Sequence, residues 1–487
     1  MTERENGRHR ALITAAILLA TFMTAVEGTV ISTAMPTIVG ELHGITLMSW
    51  VFSIYMLFTA ITTPIYGKLA DVLGRKPAMM TGLLIFLLGS IMSGLSDSMS
   101  VLIFWRAVQG IGAGGIMPVA FTILADIYPP EKRATMMGLN STAWGVASMI
   151  GPLIGGYLVE VLSWHWVFFI NVPIGILTML ILLVYLHDQV ERRKVVIDYW
   201  GILWMTGLMT TMLLALEMVS QQQWLWMLGF AVATGLLIWL FIRRERHFVE
   251  PLIDLEMFKS LDFTNANLLA ALATGFITAY NIYMPTWVQA LTGMQPSVAG
   301  FVVTPSSIVW MIGAVLAGRI MAKYDAQRLF EWSLLLGLGY AILLATLPVN
   351  TTFNFFLLTG FIFGLSMGAT ITGTTVVAQQ SVDQRQLGMA TSVNTLGRSL
   401  SQTLTTTIYG VILNVSMIFA LKAYPQIKFT ELNQLINPAT AGKLPAAHLP
   451  ILRQIMLTGL HNIFWAGAIF LAFALILNRR AKHKLRF

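Results

Sequence analysis

Again and again along its 487 residues this chain runs apolar for about the length a helix needs to cross a bilayer, then breaks into charge, Gly or Pro. A spanning helix takes about 20 residues. Fourteen such runs lie near 11–35, 47–66, 78–96, 101–124, 134–159, 164–186, 199–219, 224–242, 263–290, 297–320, 329–348, 353–377, 388–417 and 455–477. Hydrocarbon offers no water to backbone N–H and C=O groups, so runs of this length fold as helices. Composition agrees: 56% of residues are hydrophobic and 11% charged, against roughly 25% charged in an ordinary soluble domain. Too few charges remain to coat a water-soluble enzyme, and disordered, collagen-like or coiled-coil chains would need polar repeats. The absence of Cys excludes disulfides, iron–sulfur clusters and thiolate zinc sites. The expectation is an all-α polytopic membrane protein with 14 transmembrane helices. Its first run is too long for a cleaved signal peptide.

The placement of bases gives the orientation. Lys422, Lys428, Lys443 and Arg453 share one loop, 418–454, and Arg106 and Arg398 lie within runs; every other Lys and Arg falls on the opposite side from that loop. By the positive-inside rule that richer side is cytoplasmic, with both termini inside. The net charge of +8 is thus an orientation signal and no argument for a nucleic-acid partner. Charged cytoplasmic stretches at 187–198 and 243–262 isolate a two-span hairpin between two six-span blocks. The predicted organisation is a six-helix bundle at 1–190, the hairpin with its flanks at 191–259, and a second bundle at 260–487 that carries outer loop 418–454.

Several short patterns bear on mechanism. Gly67-Lys68-Leu69-Ala70-Asp71-Val72-Leu73-Gly74-Arg75-Lys76 makes a tight cytoplasmic turn with an acid between bases. Asp71 can accept hydrogen bonds from Arg75 or a neighbouring helix N-terminus, and breaking that contact would serve as a gate. Gly110 to Gly115 formally fits GxGxxG, but no strand precedes it, so these glycines are read as close helix contacts. Gly151-Pro152-Leu153-Ile154-Gly155-Gly156 in the fifth span permits a kink and tight contact. Trp164 and Trp166 open the sixth span as an aromatic belt. Glu217 reads as interfacial at the outer end of the hairpin.

Embedded charges are the rarest feature. Glu27 is the only acid well inside a predicted span. At about 1.5 Å per residue it lies roughly 24 Å from the inner end of span one, and Arg106 about 8 Å from the outer end of span four. Both fall in the outer half, where an acid and a base at like depth can neutralise each other. Burial disfavours a carboxylate and a nearby guanidinium favours it, so a carboxyl switching between those surroundings takes up and releases a proton. Arg398 sits about 16 Å into span thirteen with no acid in the neighbouring spans of its half.

Together these residues resemble the major facilitator superfamily, specifically its fourteen-span drug:proton antiporters of the QacA and EmrB type. Gly67 to Lys76 is similar to the superfamily's loop-two motif, with Val72 in place of a base. Arg106, Gln109 and Gly110 match its fourth-span motif. Gly151, Pro152, Gly155 and Gly156 match the antiporter motif, with Ala147 standing for its usual Gly. Val26-Glu27-Gly28-Thr29-Val30 resembles the first-span motif, with Glu27 for the commoner Asp, and Trp164 to Gly175 the sixth-span signature, with His165 for Arg.

The resemblance implies two six-helix bundles plus an inserted hairpin, rocking between inward and outward access. The implied function is proton-driven export of amphipathic, cationic or neutral drugs from a bacterial cytoplasm. Glu27 and Arg106 would couple protons, and Gly67, Asp71, Gly74 and Arg75 would gate. Tyr280, Asn281, Tyr283, Gln289, Trp310, Asn394 and Arg398 are candidates for the substrate cavity. No enzyme activity, cofactor or metal is expected, the proton gradient supplying the energy. Partners would be substrate, protons and lipid, for a monomer in the plasma membrane. Export of an endogenous lipid, peptide or metabolite is the alternative, and a non-transporting sensor or scaffold a more distant one.

Overall fold

The computed structural model describes residues 3–186, 198–248, 253, 255–321, 323–383 and 386–481; the side chains of 3–8, 71, 130–131, 133–135, 137–138, 141, 144, 148 and 387–388 lie outside that description. The first block comprises α1 (Glu3–Leu42), α2 (Met48–Leu73), α3 (Arg75–Gly94), α4 (Met99–Ile127), α5 (Pro130–Val161), α6 (Trp166–Phe169) and α7 (Asn171–Tyr185). The hairpin is α8 (Tyr199–Ser220) and α9 (Trp224–Glu245). The second block comprises α10 (Leu261–Trp287), α11 (Pro296–Phe301), α12 (Thr304–Met321), α13 (Ala326–Leu344), α14 (Phe353–Gln380) and α15 (Leu387–Leu421). Two short helices follow, α16 (Phe429–Ile436) and α17 (Pro438–Ala441), before the long α18 (Leu449–Arg480).

Among the described residues, 12 helices are long and apolar enough to cross a membrane. Helices α5 and α13 occupy the two remaining predicted spans. Two spans are broken where the sequence reading drew them continuous, for the same reason. Pro173 and Pro305 carry no N–H for the carbonyl four residues earlier, and their rings crowd it. The earlier residues are Phe169 and Phe301, where α6 and α11 end.

Within each block most of the packing is between helices that are not consecutive: α2 on α4, α1 on α5 and α7, α12 on α14, and α10 on α15 and α18, with α3 on α4 a consecutive pair. The blocks meet through α2 with α15, α5 with α11 and α12, and α1 with α10. The hairpin docks beside the α2–α15 seam, where Met205, Leu208, Met209, Leu213 and Phe241 join Leu57 and Ile61 in one apolar cluster. Trp50 Nε1 of α2 donates to Glu217 Oε2 of α8 at 2.7 Å, which gives that acid a specific partner. Large apolar residues also cover the exterior, as lipid contact demands; on α9, Leu225, Trp226, Leu228, Val232, Leu236 and Trp239 are all exposed.

Within the first block, α3 and α4 approach so closely that a Cβ on Gly112 would overlap the Phe86 backbone nitrogen. Overpacking a formed core costs about 1–3 kcal/mol. Gly112→Val is therefore expected to lower the melting temperature of the purified protein, read by a thiol-independent fluorescence melt. This contact lies inside one bundle, between α3 and α4, away from the joint between the blocks.

Candidate functional site

Two charges that are far apart in sequence meet inside the first block. Arg106 Nη1 of α4 lies 2.5 Å from Glu27 Oε1 of α1, and each side chain is only 1% exposed. The same Nη1 donates to Gln109 Oε1 at 2.6 Å, and Nε donates to the Val51 carbonyl of α2 at 3.3 Å. The guanidinium carbon also stands 4.0 Å above the Tyr55 ring, a cation–π arrangement. On the other carboxylate oxygen, Asn171 Nδ2 of α7 donates to Glu27 Oε2 at 2.7 Å and reaches Ser90 Oγ of α3 at 3.0 Å. Ser90 in turn donates to the Phe168 carbonyl. Helices from one bundle thus converge on a single buried pair.

Chemically this is a charge that can be exchanged for a proton. A buried carboxylate is neutralised either by a cation or by protonation. Arg106 keeps Gln109, Val51 and Tyr55 if the carboxylate leaves, so the guanidinium would not be stranded by opening the pair. Depth arithmetic placed Glu27 and Arg106 together. Asn171, Ser90 and Tyr55 were missed as partners, because neutral polar groups in spans have many structural uses.

The turn from Gly67 to Lys76 is partly described. Gly74 has φ 107°, a left-handed conformation that favours Gly, and it joins α2 directly to α3. A Cβ on Gly67 would meet nothing within 4 Å. The Asp71 side chain lies outside the described residues. Arg75 Nε pairs with Asp126 Oδ2 at the C-terminal end of α4, 2.8 Å away, and Nη1 donates to the Ala70 carbonyl. Asp126 was not singled out in sequence; it stands 51 positions from its partner.

The antiporter-motif glycines sit at helix crossings. A Cβ on Gly151 would collide with Thr29 of α1, and one on Gly155 would stand 2.8 Å from the Val30 carbonyl. Gly156 faces the second block, where a Cβ would overlap Ser297 Cα; a Cβ on Gly300 would overlap the carbonyl of Pro152. Nearby, Gln289 Nε2 donates to the Thr33 carbonyl at 2.9 Å and Ser297 donates to Glu160. Asn414 and Thr407 of α15 bond Thr46 and Ser53 at 2.9 Å each. These contacts join the two blocks at the end bearing loop 418–454.

That loop is itself folded over the joint. Leu432, Leu435 and Ile436 of α16 are fully buried, and Asn433 Oδ1 accepts from the Ile45 N–H at 3.0 Å. Glu431 caps α16 at the Lys428 N–H and pairs with His448 Nδ1 at 2.7 Å. Burial alone would push Glu431 up, but its hydrogen bonds from His448 and the Lys428 N–H outweigh that and hold it below 4.5. A depressed carboxyl contributes stability above its unfolded value and loses it as pH falls through its folded value. Normalised hydrogen-exchange protection of amides 429–436 should hold from neutral pH downward and drop only below 4.5.

The predicted cavity residues divide. Tyr280 stacks on Phe363 at 3.8 Å, Tyr283 packs edge-on to Tyr409, and both are buried. Gln289 serves the joint just described. Trp310 is half-buried, with its backbone against Gly364 and Gly368. Asn394 is buried and donates to Asn267 Oδ1 at 3.1 Å. Asn281 is half-buried. Arg398 is half-buried on α15 and its Nε has no hydrogen-bond partner. Trp164 departs from the aromatic-belt expectation: it is 1% exposed and donates Nε1–H to Glu41 Oε2 at 2.8 Å. Trp164 packs into the core beside Val167 and Phe168 while its N–H reaches the exposed Glu41 carboxylate, whereas Trp166 stays exposed.

The profile of the Major Facilitator Superfamily matches residues 17–406. Multidrug resistance protein 3 of Bacillus subtilis (strain 168) is 34% identical over 399 residues, covering 81% of this chain and 78% of the relative. Multidrug transporter protein MdtP of the same strain is 30% identical over 505 residues, covering 97% and 93%. Among solved structures, a bacterial homolog of the human lysosomal transporter Spinster superposes with a TM-score of 0.72 at 17% identity. That superposition covers 97% of this chain and 96% of the other, a likeness of fold.

Proposed function

The chain belongs to the major facilitator superfamily, and we propose that this transporter is a proton-coupled antiporter exporting amphipathic compounds across a bacterial plasma membrane. The observation that carries this reading is the Glu27–Arg106 pair, with both members only 1% exposed. Similarity to multidrug transporters along nearly the whole chain supports the export of drugs or toxic compounds.

In the proposed cycle, a proton from outside neutralises Glu27 and frees it from Arg106. The bundles at 1–190 and 260–487 then rock so that the cavity opens inward. Glu27 loses its proton to the cytoplasm and returns to Arg106 as substrate binds. Each proton entering across 100 mV contributes about 2.3 kcal/mol. All 14 long helical segments would cross the membrane, with both termini cytoplasmic and the hairpin at 191–259 riding beside the α2–α15 seam. Small amphipathic substrates, protons and lipids are the partners, and the monomer suffices.

The test is transport in inverted membrane vesicles. An imposed gradient, acid inside, should drive accumulation of a fluorescent substrate, and a proton ionophore should discharge it. Accumulation indifferent to the ionophore would overturn proton coupling. No uptake of any amphipathic dye above empty vesicles would overturn drug export.

A further inference from the structure

Arg398 differs from Arg106 in one respect that matters for ligand choice. Arg106 is neutralised by Glu27. Arg398 makes no hydrogen bond or ion pair among the described residues, and its Nε is buried. No predicted span of its own half contains an acid well inside it.

Its position on α15 is defined by its neighbours. At about 100° per residue, the helix carries Ser401, Arg398, Gln402 and Thr406 in that angular order. Ser401 bonds the Ala271 carbonyl of α10 at 2.5 Å, and Thr406 meets Met56 of α2. Leu396, Leu400 and Leu404 pack in the hairpin cluster on another side. Arg398 and Gln402 therefore share the face between α10 and α2, that is, between the two bundles. Thr406 lies eight positions further along, about 12 Å toward the joined outer end. Arg398 thus stands about 12 Å from that joint, on the side away from loop 418–454 and facing between the bundles.

We infer that Arg398 is the anion-binding group of the substrate cavity, and that the chain takes amphipaths with one carboxylate or phosphate head on an apolar body. A guanidinium fork matches both heads in bidentate fashion, and Gln402, one turn along the same face, can bond a second oxygen. The substrate supplies the counter-charge that the protein lacks. This rests on the export reading above and departs, for this subsite, from the cationic or neutral substrates expected from the family resemblance.

Binding is measured on the full chain in nanodiscs, with no gradient, by equilibrium dialysis of labelled dodecanoate, lysophosphatidate and dodecyltrimethylammonium. Dodecanoate and dodecyltrimethylammonium share a tail length and differ in the sign of the head. Arg398→Gln should weaken the anionic probes about tenfold or more, the change expected for losing a charge-assisted hydrogen bond to the head. It should leave the cation's binding unchanged or tighter, and Arg398→Lys should restore part of the anion binding. Loss confined to lysophosphatidate identifies a lipid headgroup as the source, and loss of both anions a general organic-anion site; either supports the proposal. Unchanged anion binding in Arg398→Gln overturns it, as does an equal loss for all three probes. A failure of proton-driven accumulation with anion binding intact would instead remove the export reading alone.

Discussion

Export driven by a pH gradient should fall to background in Glu27→Gln, while the folded protein still equilibrates substrate down its own gradient. The amide keeps the shape of the carboxyl and can accept from Arg106 through its oxygen. It cannot carry a proton through the cycle. It also presents an NH2 to Asn171 Nδ2, which now donates to Glu27 Oε2, so the Asn171 amide must turn over to restore a bond. Removing one partner of a buried ion pair costs about 3–5 kcal/mol in general. Here the bonds to Gln109 Oε1 and the Val51 carbonyl, with the Tyr55 ring beneath, retain part of the guanidinium's environment. A lower melting temperature with intact folding is therefore expected, and Glu27→Asp should keep gradient-driven transport. The measurement is uptake into inverted vesicles with and without the gradient, beside dye counterflow at equal pH. Undiminished gradient-driven accumulation in Glu27→Gln would remove Glu27 from the coupling step and leave the fold untouched.

The same pair shows why parts of this molecule were legible and parts were not. Charges in a span are so costly that their mere presence marks them, and a rise of about 1.5 Å per residue turns position into depth. Glu27 and Arg106 were found that way. Depth carries no information about rotation about the helix axis, so the partners that depend on facing stayed hidden. Asn171 reaches Glu27 across 144 positions and Arg75 reaches Asp126 across 51. Hydroxyls were uninformative because most of them bond back to their own helix, as Thr62 does to the Phe58 carbonyl. Aromatic residues are ambiguous in another way. A cavity-facing ring and a packed ring share one sequence signal, and here Tyr280 stacks on Phe363 while Tyr283 packs edge-on to Tyr409. The two-helix insertion was readable from its charged flanks, whereas its docking through Trp50 and Glu217 depends on an apolar seam between blocks that no local pattern announces.

Gly156→Val and Gly300→Val should each shift the protein toward an outward-open state and stop transport without unfolding it. Both glycines face across the joint between the bundles. A side chain on Gly156 would enter the backbone of Ser297, and one on Gly300 the carbonyl of Pro152. Backbone cannot move aside as a flexible side-chain tip can. Overpacking costs about 1–3 kcal/mol, and here it falls only on the state in which α5 and α11 touch. An equilibrium biased by that amount moves about 5–150-fold. The absence of native Cys makes the shift measurable. A single Cys replacing Ser53, which is 0% exposed where it meets Thr407, reports on the joint away from the substitution. Labelling by a membrane-impermeant maleimide should accelerate by a factor in that range in either glycine variant. It should stay slow in Gly112→Val, whose overlap with Phe86 lies within one bundle and away from the joint. Slow labelling in all three, with equal losses of thermal stability, would mean that the glycines at 156 and 300 serve packing alone. Rapid labelling only in the two that face across the joint would mean that the antiporter motif acts as one side of the outer gate.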